Sequence, residues 1–573
     1  LPPSTDDRVT LPPGYEQRVV FAWGDPVVAG APAWDPAATQ GEAAQALQAG
    51  MHHDGMHLFQ LPSQAAGAPR WLLAVNHEFV DPGLLHGQSS TARERVLKEQ
   101  AAVGVSVIEV RPRVGGGWEQ VQASPYGRRV SARTPMRFAG PAAGSPLLVT
   151  REDPSGRSVQ GTLGNCAAGE TPWGTYLSCE ENLGYFFVRS AGDMLPEERA
   201  YGLTAAGLGY RWEEGERRFD AAHEPRELNR FGWVVELDPA DPSSVPVKRT
   251  ALGRFKHENA CVWSEEGRPV VVYMGDDDRF EHLYKFVSVH PWRAGALAQR
   301  DLLDEGTLYV ARLAPDGSGT WQPLVQGQTG LTARDGFPTQ AHVLVLARLA
   351  AKSVGATPLD RPEWAAIHPT SRRVFVSLTN NDKRGLLGQP GPDAANPAGP
   401  NPYGHILALD ETGADPTAAT FRYEVFVRGG PQAWVKGAPA HAPRPAFGSP
   451  DGLACDARGV LWIETDVGNA ASASPGHAGF PNNQLLAVDP ATLEVRRFLV
   501  GPRGAEVTGL VFTPDLRTLF INIQHPGEAP GDVGHSDPAR PTAVSSWPTC
   551  DGRTRPRSAT LAIWRTDGGR IGD

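Results

Sequence analysis

Ser449-Pro450-Asp451-Gly452-Leu453-Ala454-Cys455-Asp456 turns at Ala457-Arg458-Gly459 into Val460-Leu461-Trp462-Ile463-Glu464-Thr465-Asp466, and later comes Gln484-Leu485-Leu486-Ala487-Val488-Asp489. A short segment opening on a polar residue, a tight turn, a stronger apolar strand and a third strand make one unit of antiparallel sheet. The unit recurs. Glu363-Trp364 leads through His368-Pro369-Thr370 to 374–378 and 405–409, and Glu506-Val507 leads through Thr513-Pro514-Asp515 to 519–523 and 560–564. Glu258-Asn259 precedes 269–273 and 282–286, Cys166-Ala167 precedes 174–178 and 185–188, and Asp54-Gly55 precedes 71–75 and 105–109.

Six copies of a three-strand unit predict an all-β fold, a six-bladed β-propeller with long inserted loops and a few short helices. The whole chain, 1–573, reads as one propeller domain with blade cores near 50–110, 165–190, 257–288, 361–410, 449–490 and 505–565. Residues 1–50, 110–160 and 190–250 are left to supply outer strands and loops. Helical periodicity is confined to Thr91 to Ala101 and Leu195 to Ala206.

Composition bounds the function. The chain has 573 residues, 40% of them hydrophobic, with 64 Gly and 52 Pro spread throughout, as a folded, loop-rich protein requires. No apolar run approaches the roughly 18 residues of a membrane span. Lys plus Arg number 54 against 64 Asp plus Glu, so 54 − 64 = −10. That balance argues against nucleic acid as a dedicated partner and demands local positive charge for any anionic substrate. The five cysteines, Cys166, Cys179, Cys261, Cys455 and Cys550, are too few for a disulfide scaffold, and their odd number leaves one unpaired. The opening Leu1-Pro2-Pro3, without a start methionine, suggests a processed, exported protein. A monomer is expected.

In a propeller the innermost strands line the axis, so equivalent positions of successive blades meet there. These read Asp54, Cys166, Glu258, Glu363, Asp451 and Glu506: five carboxylates and one thiol. Such a ring repels itself unless cations compensate it. Carboxylates suit Ca²⁺, whereas a thiolate among them suits a transition metal, iron above all. For a single acid, capping a strand end is the better explanation, but six aligned copies favour metal binding. Cys261 and Cys455 read as core residues.

A second polar layer follows the second strands: Asn76-His77-Glu78, Cys179-Glu180-Glu181-Asn182, Asp276-Asp277-Asp278-Arg279, Thr379-Asn380-Asn381-Asp382, Thr465-Asp466 and Asn522-Ile523-Gln524-His525. Its oxygens suit calcium shells or second-rank support, although Asn and Asp also favour turns. From this layer Asp276 and Asn380 are expected as metal ligands and Asn182 as a substrate contact. Arg361, two residues before Glu363, is the best fork for a pair of phosphate oxygens. Arg279 and Lys285 are weaker candidates, and His52, His53, His257 and His525 sit near the expected ligands.

These residues resemble the PhoX alkaline phosphatase family over most of the chain. The segments that carry the resemblance include Asn76-His77-Glu78, Asn165-Cys166-Ala167, Thr171-Pro172-Trp173-Gly174-Thr175, Cys179-Glu180-Glu181-Asn182, Lys256-His257-Glu258-Asn259 and Gly275-Asp276-Asp277 with Tyr284-Lys285-Phe286. Arg361-Pro362-Glu363-Trp364, Ser449-Pro450-Asp451-Gly452-Leu453, Glu506-Val507-Thr508-Gly509, Gln524-His525-Pro526-Gly527-Glu528 and the tail from Asp567 to Gly572 complete them. The resemblance implies a six-bladed propeller with two oxide-bridged ferric ions and two or three calcium ions, hydrolysis of phosphate monoesters and sometimes diesters, and Tat-dependent export to the periplasm or medium. It maps Cys166 and Glu181 to iron, Glu258, Glu363 and Asp451 to iron or calcium, and Arg361 to the phosphate. Ala505 departs from the family, where a cysteine is frequent, and the choice of Glu181 over Glu180 stays open.

On this reading an oxide or hydroxide held by the cations attacks phosphorus in line while Arg361 clamps a nonbridging oxygen. The rival is a calcium-dependent lactonase or arylesterase on a similar propeller, which Pro450-Asp451-Gly452-Leu453 and Trp462 fit equally well. Cys166 and the number of carboxylates argue against it. A non-catalytic binding propeller is the third possibility and predicts a channel without metal.

Overall fold

A strand that is apolar on both faces must be covered on both, and the second strand of each unit is of this kind. In Leu461–Thr465, Leu461 and Ile463 pack toward one neighbouring sheet, while Trp462, between them, packs toward the other. Leu72 and Leu73, Val271 and Val272, and Phe375 and Val376 divide in the same way. The result is six hydrophobic clusters, each filling the space between two adjacent sheets.

The computed structural model describes residues 1–62, 69–87, 90–295, 301–328, 330–489, 492–529 and 535–573. Its innermost strands are His53–Gln60, Asn165–Glu170, Cys261–Trp263, Pro362–Ile367, Pro450–Cys455 and Glu506–Phe512. Each lies against the next, and the last against the first, so the ring closes with six blades as expected. Each is followed antiparallel by its second strand, in order Trp71–His77, Tyr176–Glu180, Pro269–Gly275, Val374–Leu378, Leu461–Thr465 and Thr518–Gln524.

The outermost strand of the sixth blade is Tyr15–Ala22, near the start of the chain, paired antiparallel with Ala559–Arg565 near its end. Blades three and four join at their outer edges, where Ser318–Pro323 pairs with Thr420–Arg428. Among the described residues no helix is long and apolar enough to cross a membrane.

Two local expectations need correcting. Residues 185–188 were expected as the third strand of blade two, but that strand is Val234–Leu237. Phe186 and Phe187 instead enter an aromatic cluster with Tyr210, Trp212, Phe219 and Phe231, and buried rings hold the segment away from the sheet. The expected helix at 195–206 shrinks to Pro196–Ala200, ended by Gly202 in the left-handed region. Ala92–Ala102 is helical as expected, opened by a capping box of Thr91 and Glu94.

Candidate metal centre

The inner strands reach the channel through one repeated irregularity. Between His53↔His77 and Met56↔Val75 the inner strand carries one residue more than its partner, and Asp54-Gly55 forms the bulge. The same break holds Cys166-Ala167, Glu363-Trp364 and Asp451-Gly452. Blade three repeats it, because His257 bridges Asp276 while Cys261 pairs with Tyr273. A bulge re-aims its side chain, and here it turns Asp54, Cys166, Glu258, Glu363 and Asp451 into the channel. Two residues earlier, His52, Gly164, Arg361 and Ser449 all take left-handed backbone at φ 46, 58, 58 and 48°. Three of the four are not glycine, and left-handed strain of that kind concentrates at functional sites.

Blade six departs from the expected equivalence. Its bulge follows the Thr508↔Asn522 pair, so Gly509, not Glu506, occupies the position of Asp54. Gly509 has φ +69°, and a Cβ there would lie 2.3 Å from the Asp54 carbonyl oxygen, which excludes a side chain. Glu506 reaches the same cavity from three residues upstream.

The cavity has a volume of 430 Å³. Four groups of ligand atoms converge in it, each with its atoms within 4.8 Å of one another: Asp54, Glu78 and Cys166; Cys166, Glu181 and Glu258; Glu258, Glu363 and Asp451; and Asp466, Glu506 and His525. Cys166 belongs to two groups, with Sγ 3.3 Å from Glu258 Oε2. Thr508 Oγ1 donates to Asp54 Oδ1 at 2.8 Å, while Asp54 Oδ2 and Glu181 Oε1 are buried without a hydrogen-bond partner. Phe79, Tyr185, Tyr210 and His535 supply an aromatic wall.

Among the described residues, eleven carboxylates line this space against two guanidiniums, those of Arg279 and Arg361. Burial, then the neighbouring acids, pushes Glu258, Glu363, Asp451 and Glu506 well above the usual carboxylate range. Burial raises Asp54 to about 6 from 3.8, and burial with Asp54 and Glu258 pushes the Cys166 thiol up. Without cations the folded protein therefore holds protons that the unfolded chain releases. The stabilisation from Asp54 is complete below its unfolded value of 3.8 and is lost as the pH rises through about 6. Chelated protein is expected to melt at progressively lower temperature between pH 4 and pH 6, and added calcium should restore it. A melting temperature that rises over that interval would contradict this electrostatic account.

Arg361 is not free. Its Nε and Nη2 donate to the two oxygens of Asp277 at 2.7 and 2.8 Å, and Nη2 lies 3.2 Å from Glu363 Oε1. Burial works to raise Asp277, yet the guanidinium holds that carboxyl below its usual value. Asn182, expected to touch substrate, lines the cavity, but its amide donates to Glu181 at 2.6 Å and to Glu78 at 3.3 Å. Asn380, expected as a metal ligand, lines the cavity and donates to Ser449 Oγ at 3.3 Å. Arg279 stands at its edge, tied to Asp382 at 2.7 Å.

Other expected residues point elsewhere. Asp276 accepts from Arg348 Nε at 2.9 and 3.0 Å in a fully buried pair, so it is committed away from the cavity, while its neighbour Asp277 lines the cavity and holds Arg361. Asp276→Asn is expected to destabilise the protein by about 3–5 kcal/mol, because it strands a buried guanidinium. Calorimetry should register that loss while metal content stays at the wild-type level. Lys285 is buried against Glu411 at 3.0 Å, away from the channel. Glu180 pairs with Lys248 at 2.6 Å, which leaves Glu181 to the cavity. His52 and His525 line the cavity; His53 and His257 are buried outside it.

Glu78, Asp277 and Asp466, placed in the second polar layer without individual roles, also line the site, as does Glu528. Asp81 lines it too and was missed, because it caps a short helix beyond the end of the second strand of blade one and has no counterpart in the repeat.

Residues 1–527 match the family described as alkaline phosphatase PhoX. Pseudomonas fluorescens PhoX, solved in complex with vanadate, a transition state analogue, is 45% identical, with a TM-score of 0.91 over 100% of this chain and 98% of that one. The ring of carboxylates with its thiol, on this fold, defines a metal-dependent hydrolase of phosphate esters. A Trichoderma reesei enzyme of carbohydrate-active family AA12 is 9% identical over 98% of both chains at a TM-score of 0.33, too remote to inform function. No curated protein matches. The chain belongs to the PhoX alkaline phosphatase family.

Proposed function

We propose that this phosphatase acts on small-molecule phosphate monoesters, and on diesters, with two ferric ions and two or three calcium ions held in the propeller channel. The donor set fits them: orphaned carboxylate oxygens at Asp54 and Glu181, a thiol shared between two ligand groups, and acids that only cations can keep ionised together. Cys166, Glu181, Glu258, Asp54 and Glu78 would hold iron, and Glu363, Asp451, Glu506, Asp466 and Asn380 would complete calcium shells. When bound, the ions neutralise charge on phosphate and supply an activated nucleophile.

The residues of the chain do the rest. Asp277 fixes the plane of Arg361, and Arg361 Nη1, which makes no hydrogen bond to a described residue, is directed to a nonbridging phosphate oxygen. Asn182 steadies Glu181 and Glu78 at the ester's path. The chain works as one propeller body, as a monomer in the periplasm or medium.

The observation that carries the reading is eleven carboxylates facing two guanidiniums, a cavity that repels any phosphate unless cations reverse its charge. The test is elemental analysis of purified protein, with a phosphomonoester, a diester and a lactone assayed before and after chelation. Iron and calcium together, with phosphatase activity lost on chelation, is the expected result. Calcium alone with lactone hydrolysis would overturn it.

A further inference from the structure

A bulge frees two successive backbone carbonyls from the sheet ladder, and buried carbonyls need donors. The blade alongside supplies them. Asn76, fully buried in the second strand of blade one, donates from Nδ2 to Cys166 O and Ala167 O, both at 2.8 Å. Ser377 of blade four donates to Asp451 O at 2.5 Å, and Asn522 of blade six donates to Asp54 O. Asn259 of blade three donates to Ala365 O at 2.9 Å and accepts from Ala365 N at 3.0 Å, just past the Glu363-Trp364 bulge. Asn76, Ser377 and Asn522 do not line the cavity.

The amide of Asn76 is itself aimed. Its Oδ1 accepts from Ser178 Oγ at 2.8 Å; Ser178 Oγ accepts from Asn165 Nδ2 at 2.8 Å, and Asn165 Nδ2 also donates to Thr162 Oγ1 at 2.7 Å. One –NH₂ spanning two carbonyls fixes both peptide planes of the Cys166-Ala167 bulge, and with them the direction of Cys166 Sγ.

We infer that Asn76 is a positioning residue for the thiol of Cys166, as Ser377 and Asn522 are for the bulges of Asp451 and Asp54. This rests on the reading of Cys166 as a metal ligand. A ligand that swings by a few tenths of an ångström changes the electronic state of its metal and the barrier more than it changes substrate affinity.

The test uses metal-loaded enzyme carrying Asn76→Asp, which keeps the shape but turns an acceptor toward two carbonyls, and Ser178→Ala, which removes the hydroxyl that orients the amide. Asn76→Asp is expected to lower kcat about 10- to 100-fold with KM within about threefold, and to shift the visible thiolate-to-metal absorption. Ser178→Ala should move kcat and absorption the same way by a smaller amount, about two- to fivefold in kcat, with the melting temperature near that of the wild type. Folded variants with wild-type kcat, metal content and absorption overturn the inference. If Asn76→Asp fails to fold, unchanged kcat and absorption in Ser178→Ala overturn it alone. Wild-type protein without transition metal or thiolate absorption would instead sink the assignment of Cys166 beneath it.

Discussion

Cys166→Ala is expected to lower kcat/KM for a phosphomonoester by about 10³-fold, roughly 4 kcal/mol of barrier, and to reduce bound transition metal while the propeller stays folded. The size of the effect follows from where the sulfur sits. Cys166 is common to two groups of converging ligands, so its loss weakens both at once. Around it stand Asp54 and Glu258, whose charge opposes ionisation of the thiol, so a thiolate there implies a cation strong enough to overcome both. The packing cost of losing one sulfur at the channel wall is small beside that. Cys166→Ser should recover part of the metal, since oxygen still ligates, but little of the rate. Metal content and turnover both at wild-type levels in Cys166→Ala would remove the thiol from the centre.

Arg361→Ala is expected to cost about 10²- to 10³-fold in kcat/KM, the penalty typical of losing one prearranged donor to transition-state charge. Bound metal should remain, because Arg361 supplies no ligand. Its backbone, at φ 58°, imposes the same strain on alanine as on arginine, which makes the substitution a clean one. Arg361→Lys should rescue little, since an ammonium cannot grip Asp277 by two parallel bonds and still present a fixed third donor. Kinetics unchanged in Arg361→Ala would assign phosphate binding to Arg279 or to the ions alone.

Much of the architecture was legible because each blade repeats the same order of polar opener, turn and apolar strand; the copy at 449–489 has its three strands where the reading set them. Blade two was legible only in its first two strands, because a long insertion of buried aromatic rings separates the second from the third. At the site, Asp54, Cys166, Glu258, Glu363 and Asp451 could be aligned from sequence since each opens its unit ahead of a turn and an apolar second strand, although the distance to that strand varies from blade to blade. Glu506 broke the alignment by three residues, and nothing short of strand register reveals that Gly509 holds the equivalent place. Asp276 and Asp277 differ only in which way the chain turns after Gly275, and the partner that decides it, Arg348, lies 72 positions away in a helix. Consecutive acids at a strand end cannot be ranked without that distant guanidinium.

The pairing of Tyr15–Ala22 with Ala559–Arg565 fixes when the centre can come into being. Until Ala559–Arg565 is present Tyr15–Ala22 has no strand to pair with, and a chain that stops before blade six also lacks the Thr508 that bonds Asp54. Cation loading thereby waits on closure of the ring.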